Sequence, residues 1–185
     1  MKSKKDIRTE ISAQRKALDP QWLETNSKRV TGNFQQLEVF KSSTTIALYM
    51  ALGGETDLSS LFLECWKHGK HTCIPIFNAE THLYEMAKVT ANTRYRLGHY
   101  GIREPIAPTL ITMDQIDLMA VPGIAFDLQG QRLGRGGGYY DRLLEGFCGD
   151  TAALAFDFQI LPSIPVEAHD QPVQYIVTET KLFNL

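Results

Sequence analysis

The sequence predicts an α/β fold of three layers, α-β-α, around a mostly parallel sheet in a single domain covering residues 1–185. Three observations carry that expectation. Short apolar or β-branched runs alternate with segments of helical period; 185 residues suit one core and are short for two; and no linker, internal repeat or low-complexity tract divides the chain.

Residues 3–18 read as a helix with Ile7, Ile11 and Leu18 on one face, closed by Asp19-Pro20, which also begins a second helix running to about Leu37. Residues 44–50 form a buried strand ended by Gly53-Gly54. The next helix has Asp57 as its cap, Leu58, Leu61, Phe62, Cys65 and Trp66 at helical spacing, and Gly69 as its stop. Strands are expected at about 72–77 and 84–89, followed by an irregular stretch through Gly98, Gly101 and Pro105. A further buried strand at 118–121 is stopped by Pro122-Gly123, and a glycine loop leads into a helix at 139–144. Residues 152–156 and 175–178 supply the last strands. Such a succession places functional sites at the carboxyl ends of the parallel strands.

Composition narrows the function classes. Hydrophobic residues make up 43% of the chain and charged ones 22%, an ordinary globular balance, and the net charge of −2 does not suit a nucleic-acid binder. The start of the chain is locally basic: Lys2, Lys4, Lys5, Arg8, Arg15 and Lys16 face only Asp6 and Glu10. No apolar run follows it as in a secretory signal, and no stretch approaches the roughly 18 apolar residues of a membrane span. Cys65, Cys73 and Cys148 are odd in number and lack C-x-x-C spacing, so a cytoplasmic protein with thiols as buried fillers is expected. His68, His71, His82, His99 and His169 show no metal-ligand spacing.

The run from Leu133 to Asp141 carries the chemistry. Gly134, Gly136, Gly137 and Gly138 leave consecutive backbone N–H groups unshielded, able to curl around phosphate oxygens. The helix that begins there adds positive dipole character, and Arg132 and Arg135 add forked donors suited to phosphate. Asp141 follows; a carboxylate beside polyphosphate calls for a divalent cation between them. Glycine clusters usually mark only surface turns, but here two arginines, two tyrosines and an acid stand in register with a helix start. The run matches neither the G-x-x-x-x-G-K-[ST] phosphate loop nor the G-x-G-x-x-G dinucleotide fingerprint.

Pro122-Gly123-Ile124-Ala125-Phe126-Asp127, followed by Gly130, Arg132 and the unbroken run from Leu133 to Arg142, resembles the 5-formyltetrahydrofolate cyclo-ligase family, also called methenyltetrahydrofolate synthetases. Lys4 to Arg8, Gly54-Glu55-Thr56-Asp57, Gly69-Lys70, Gly101-Ile102, Glu104-Pro105, Gln159, Leu161-Pro162 and His169-Asp170 agree in order. The resemblance is thin over residues 78–97 and in the second helix. It implies ATP- and Mg2+-dependent closure of 5-formyltetrahydrofolate to 5,10-methenyltetrahydrofolate; a monomer is expected, and charge and hydropathy point to no nucleic-acid or membrane partner.

By the same resemblance, ATP is held by Lys4, Lys5, Asp6, Ile7, Arg8, Arg132, Leu133, Gly134, Arg135, Gly136, Gly137, Gly138, Tyr139 and Tyr140. Folate falls to Met50, Glu55 and the stretch from Arg135 to Tyr139, Mg2+ to Asp141 and Asp170, and catalysis to Arg135. Asp127 is expected to orient the glycine loop. From the residues alone, Glu55 also reads as a helix-start acid, Met50 as core, and Lys4 and Arg8 as a solvated face. Some relatives carry lysine at Gly137; here Arg132 or the N-terminal basic residues supply that charge. Two other classes fit the loop: a folate- or nucleotide-binding module without turnover, and a sugar-phosphate isomerase or transferase on a related scaffold.

Overall fold

The computed structural model describes residues 2–98 and 101–185, so His99 lies outside the described residues. The chain runs α1 (Lys4–Lys16), α2 (Pro20–Phe34), α3 (Glu38–Ser42), β1 (Thr45–Ala47), α4 (Ser59–Lys67), β2 (His71–Asn78), β3 (Leu83–Val89), β4 (Tyr95–Leu97), β5 (Arg103–Pro105), β6 (Thr109–Ile111), β7 (Leu118–Val121), β8 (Ala125–Asp127), β9 (Arg132–Leu133), α5 (Tyr139–Leu144), β10 (Asp150–Leu154), β11 (Ile160–Leu161), β12 (Tyr175–Val177) and β13 (Leu182–Asn184).

The main sheet has the order β13-β12-β10-β7-β1-β2-β3-β6. Its centre, β12 through β2, is parallel, and antiparallel strands close both edges. From β1 the chain moves to β2 on one side and later to β7 on the other, which makes the β1–β7 boundary a switch point where a crevice opens. Alternation assigns the faces. Ile46, Leu48, Leu118, Ala120, Ala152 and Leu154 pack with α2, α3 and α4 residues such as Val30, Phe34, Phe40 and Leu61. Ala47, Met119, Val121 and Ala153 pack on the other face with Leu143 and Leu144 of α5. The mostly parallel α/β sheet is therefore as expected, though among the described residues the one α-helix in this second cluster is α5, six residues long.

A third, smaller core joins Ile7 and Ile11 of α1 to Ile124, Ala125, Leu133 and Ile164. It rests on a small sheet, β11-β8-β9, that the sequence pattern did not announce. Asp127 builds it: Oδ1 accepts from the Gln129 and Gln131 amides at 3.1 and 3.0 Å, and Oδ2 from Ile164 N at 2.8 Å. Asp127 thus fixes the hairpin whose outgoing strand leads to the glycine loop.

Local signals largely hold. Ser3 and Asp6 form a capping box on α1, and Asp19 accepts from Trp22 N at 2.9 Å to cap α2. Asp57 stands one residue before the N-cap of α4, with its carboxylate on Ser59 N at 2.9 Å. Two readings need correction. Leu18 lies beyond α1 and joins the large core rather than the Ile7–Ile11 face. Cys65 and Cys73 are buried, and burial pushes both thiols up to about 12, but Cys148 is exposed and is no filler. Among the described residues, no helix is long and apolar enough to cross a membrane.

Candidate functional site

A cleft of about 1210 Å3 opens where the chain leaves β1 and β7. One wall is the loop after β1, with Tyr49, Met50, Leu52 and Glu55; the floor is Pro122 and Gly123; the opposite wall is the stretch from Arg132 to Asp141. Helix α1 brings Lys4, Lys5 and Arg8 to the rim, and the loop before β12 brings Glu167, His169 and Asp170. The cleft thus gathers nearly all the residues singled out in the sequence. Asp6 and Ile7 are the exceptions: Asp6 is engaged with Ser3 in the capping box, and Ile7 is 3% exposed in the small core.

The glycine loop is tied down by two arginines. Arg8 Nε donates to the Gly134 carbonyl at 2.9 Å, and Arg142 Nη2 to that of Gly137 at 3.2 Å. Both bonds occupy carbonyls rather than amides. A side chain at Gly137 would run into the ring of Tyr139, which itself stands edge-on to Tyr84 at 4.9 Å and under Arg142 at 5.1 Å. The position where some relatives carry lysine is therefore shaped here for glycine. Helix α5 leaves the loop through Gly138 at φ 64°, with no side-chain cap. A helix of six residues contributes little dipole, so anion attraction at this wall rests on the loop amides and the arginines.

Arg132 is buried and pairs with Asp141 Oδ1 at 2.5 Å, its guanidinium 5.8 Å from the Tyr140 ring centre. Burial pushes the Tyr140 hydroxyl up, the Glu55 charge adds to that and Arg132 opposes it. Tyr49 is pushed up the same way, burial first and then Glu55. Both phenols stay protonated.

Arg135 reaches across the cleft to Glu55, with Nη2 2.8 Å from Oε1. The other carboxylate oxygen accepts from Leu52 N at 2.9 Å, which fixes Glu55 in its loop. Glu55 is 7% exposed, so it is neither a surface acid nor a helix cap. Behind it lies Arg15, a buried cation that the sequence showed only as part of the basic first segment. Gln159 is also buried: its Nε2 donates to the Gly123 and Ile124 carbonyls at 3.1 and 2.9 Å, while Oε1 accepts from Phe156 N at 2.9 Å. It holds the floor loop after β7 against the end of β10.

At the rim, Lys4 Nζ pairs with Asp170 Oδ2 at 2.7 Å and lies 3.5 Å from Glu167. Burial raises the Asp170 pKa, but the Lys4 hydrogen bond and charge and the Glu167 amide outweigh it, leaving it below the ordinary value. Ligand atoms of Glu167, His169 and Asp170 lie within 4.8 Å of one another, a grouping that sequence spacing could not reveal because two of the three flank a turn. Gln171 N lies 3.5 Å from Asp141 Oδ1, so the Asp170 loop and Asp141 meet at one end of the cleft. Oxygen donors converging beside a phosphate-type loop suit a hard divalent cation such as Mg2+.

A second cavity of about 460 Å3 adjoins the cleft through shared Tyr49, Met50, Leu52 and Glu55, and continues to Trp66, Tyr95 and Arg103.

Comparison with known proteins gives the family. The chain is 27% identical over 190 residues to 5-formyltetrahydrofolate cyclo-ligase of Mus musculus, covering 96% of this chain and 94% of the mouse protein. Identity to the protein of the same name in Escherichia coli K12 is 27% over 182 residues, covering 94% and 99%. The solution structure of Aquifex aeolicus 5,10-methenyltetrahydrofolate synthetase matches with a TM-score of 0.88 at 35% identity, over 98% of this chain and 92% of that one. A Mycoplasma pneumoniae 5,10-methenyltetrahydrofolate synthetase, at 20% identity and TM-score 0.77 over 96% of this chain and 99% of that one, shares the fold. Residues 1–179 match the model of one family, and the chain belongs to it: the 5-formyltetrahydrofolate cyclo-ligase family.

Proposed function

We propose that this chain closes 5-formyltetrahydrofolate to 5,10-methenyltetrahydrofolate, consuming ATP and releasing ADP and phosphate. The observation that carries the reading is the cleft itself. At about 1210 Å3 it exceeds the roughly 300–1,000 Å3 of a single small-molecule pocket, and its two walls differ in chemistry. One wall has bare amides and cations; the other offers Met50, Tyr49 and the Glu55 carboxylate, suited to a flat ring with a donor edge. Arg135 spans the two.

The formyl oxygen is a poor leaving group until it is phosphorylated. In the proposed sequence the γ-phosphoryl moves to that oxygen, N10 attacks the activated carbon and gives up its proton to solvent, and the C–O bond breaks with the electron pair leaving on phosphate. Such transfer demands positioning and charge stabilisation rather than a covalent nucleophile. Lys4, Lys5 and Arg8 close over the polyphosphate from α1, the loop from Gly134 to Gly138 cradles it, and Arg135 stabilises charge on the transferring group. Glu55 accepts from the pterin donor edge beside Met50. Asp141 and Asp170 would hold Mg2+, which neutralises phosphate charge when bound.

The test is the ultraviolet absorbance of the methenyl product from 5-formyltetrahydrofolate. Growth that requires both ATP and Mg2+ is expected. Folate binding without product would instead mark a binding module, and turnover of sugar phosphates without ATP would overturn the reading.

A further inference from the structure

Arg15 is in the last turn of α1, where basic residues normally face solvent, yet it is 7% exposed. Its Nη2 donates to the Gly123 carbonyl on the cleft floor. Among the described residues Nε and Nη1 have no hydrogen-bond partner, and Nη1 stops 3.8 Å from Glu55 Oε1. Unused donors on a buried guanidinium are costly, so this arrangement is explained more readily if another state of the site uses them.

Glu55 Oε1 is the same oxygen that Arg135 holds at 2.8 Å. Two guanidiniums therefore compete for one acceptor, and they are unequally free. Arg135 has 52% of its side chain exposed, on a loop of glycines. Arg15 is wedged under Gly54, where φ is 75° and an added Cβ would lie 2.7 Å from Arg15 Cβ.

We propose that Arg15 is a positioning residue for the folate: when Arg135 swings from Glu55 to the reacting oxygens, Arg15 Nη1 closes onto Oε1 and keeps the carboxylate aimed at the pterin. The step needs Nη1 to move from 3.8 Å to about 2.9 Å. Departure of Arg135 favours it. Burial lowers the Arg15 pKa, Glu55 opposes that and the like charge of Arg135 adds to it, so removing Arg135 relieves a repulsion.

The inference rests on the proposed folate site, and wild-type turnover is therefore measured first. Given turnover, Arg15→Gln should raise KM for 5-formyltetrahydrofolate about 10- to 100-fold, the range expected for losing one hydrogen bond to a charged group, with KM for ATP and kcat changed less than threefold or so. Arg15→Lys, which keeps the charge, should recover most of that loss. A wild-type folate KM in Arg15→Gln, or equal losses for folate and ATP, overturns the role of Arg15 and leaves the proposed reaction standing. Should Arg15→Gln not fold, the guanidinium 15N–H signals of Arg15 in the wild-type protein decide: slowed exchange on adding 5-formyltetrahydrofolate supports the closure, and unchanged exchange overturns it.

Discussion

Arg135 and Asp170 show how much of the site lies in single ion pairs. Arg135 is bound to Glu55, but the proposed reaction uses it on the transferring phosphoryl group. Losing a well-aimed charge-stabilising donor costs ~3–4 kcal/mol in the transition state, so Arg135→Ala should lower kcat about a hundred- to a thousandfold in the methenyl absorbance assay. Retention of more than a tenth of the rate would count against that role. Asp170 reports the rim. Its folded pKa is held below the ordinary value near 3.8, so the stability it contributes is complete above that value and is lost as pH falls through the lower one. The gap in melting temperature between the wild type and Asp170→Asn should be constant from neutral pH to about pH 5 and should close in more acidic buffer. A gap that widens on acidification would reverse the assignment. The meeting of Arg132 and Asp141 at the cleft could be expected from their glycine-rich run, whereas Lys4, Arg8 and Glu55, which by themselves read as a solvated face and a helix-start acid, were singled out only by the family resemblance. Arg15 was not, since one more arginine in a basic helix looks like surface until the fold drives it under Gly54.

At the scale of elements, long periodic runs could be read and short ones could not. Strands β2 and β7 and helices α1, α2 and α4 follow their patterns to within a few residues. The second helix, expected to reach Leu37, ends at Phe34; a tight turn follows, and α3 starts afresh after Leu37. The β4–β5 hairpin was read as irregular, and β6, β8, β9, β11 and β13 span two or three residues each, too few for a period to register. What sets β8 and β9 is side-chain bonding by Asp127 and a turn at Gly130 with φ 80°. Gln159 has a similar long-range duty, holding three backbone groups from two segments. Gln159→Ala strands buried carbonyls, a cost of about 1–3 kcal/mol. At roughly 2–4 °C per kcal/mol for a chain of this size, the melting temperature should fall several degrees in calorimetry. No change would mean that the floor loop is held by other contacts.

The molecule as a whole places the two walls of the cleft on different parts of the fold. The loop after β1 belongs to the main sheet, whereas the glycine loop leaves the small β11-β8-β9 sheet that α1 covers. The parallel centre and the position of the cleft followed from the order of strands, but the second sheet, which sets the distance between the walls, depends on contacts far apart in sequence. The paired acids at the cleft's end have a further consequence. Asp141 and Asp170 each already neutralise a protein cation, Arg132 and Lys4. If the proposed Mg2+ binds there, it would enter their coordination only by counter-ion exchange, in which a guanidinium or an ammonium is released and must find another anion. Triphosphate can accept both, so uptake of metal and of nucleotide should be linked, each raising the affinity for the other. Calorimetric titration with Mg2+ alone should give no saturable heat, and the same titration with a non-hydrolysable ATP analogue present should saturate. Saturation by Mg2+ alone would show that the two carboxylates are released at no cost, and that the protein selects its metal before its nucleotide.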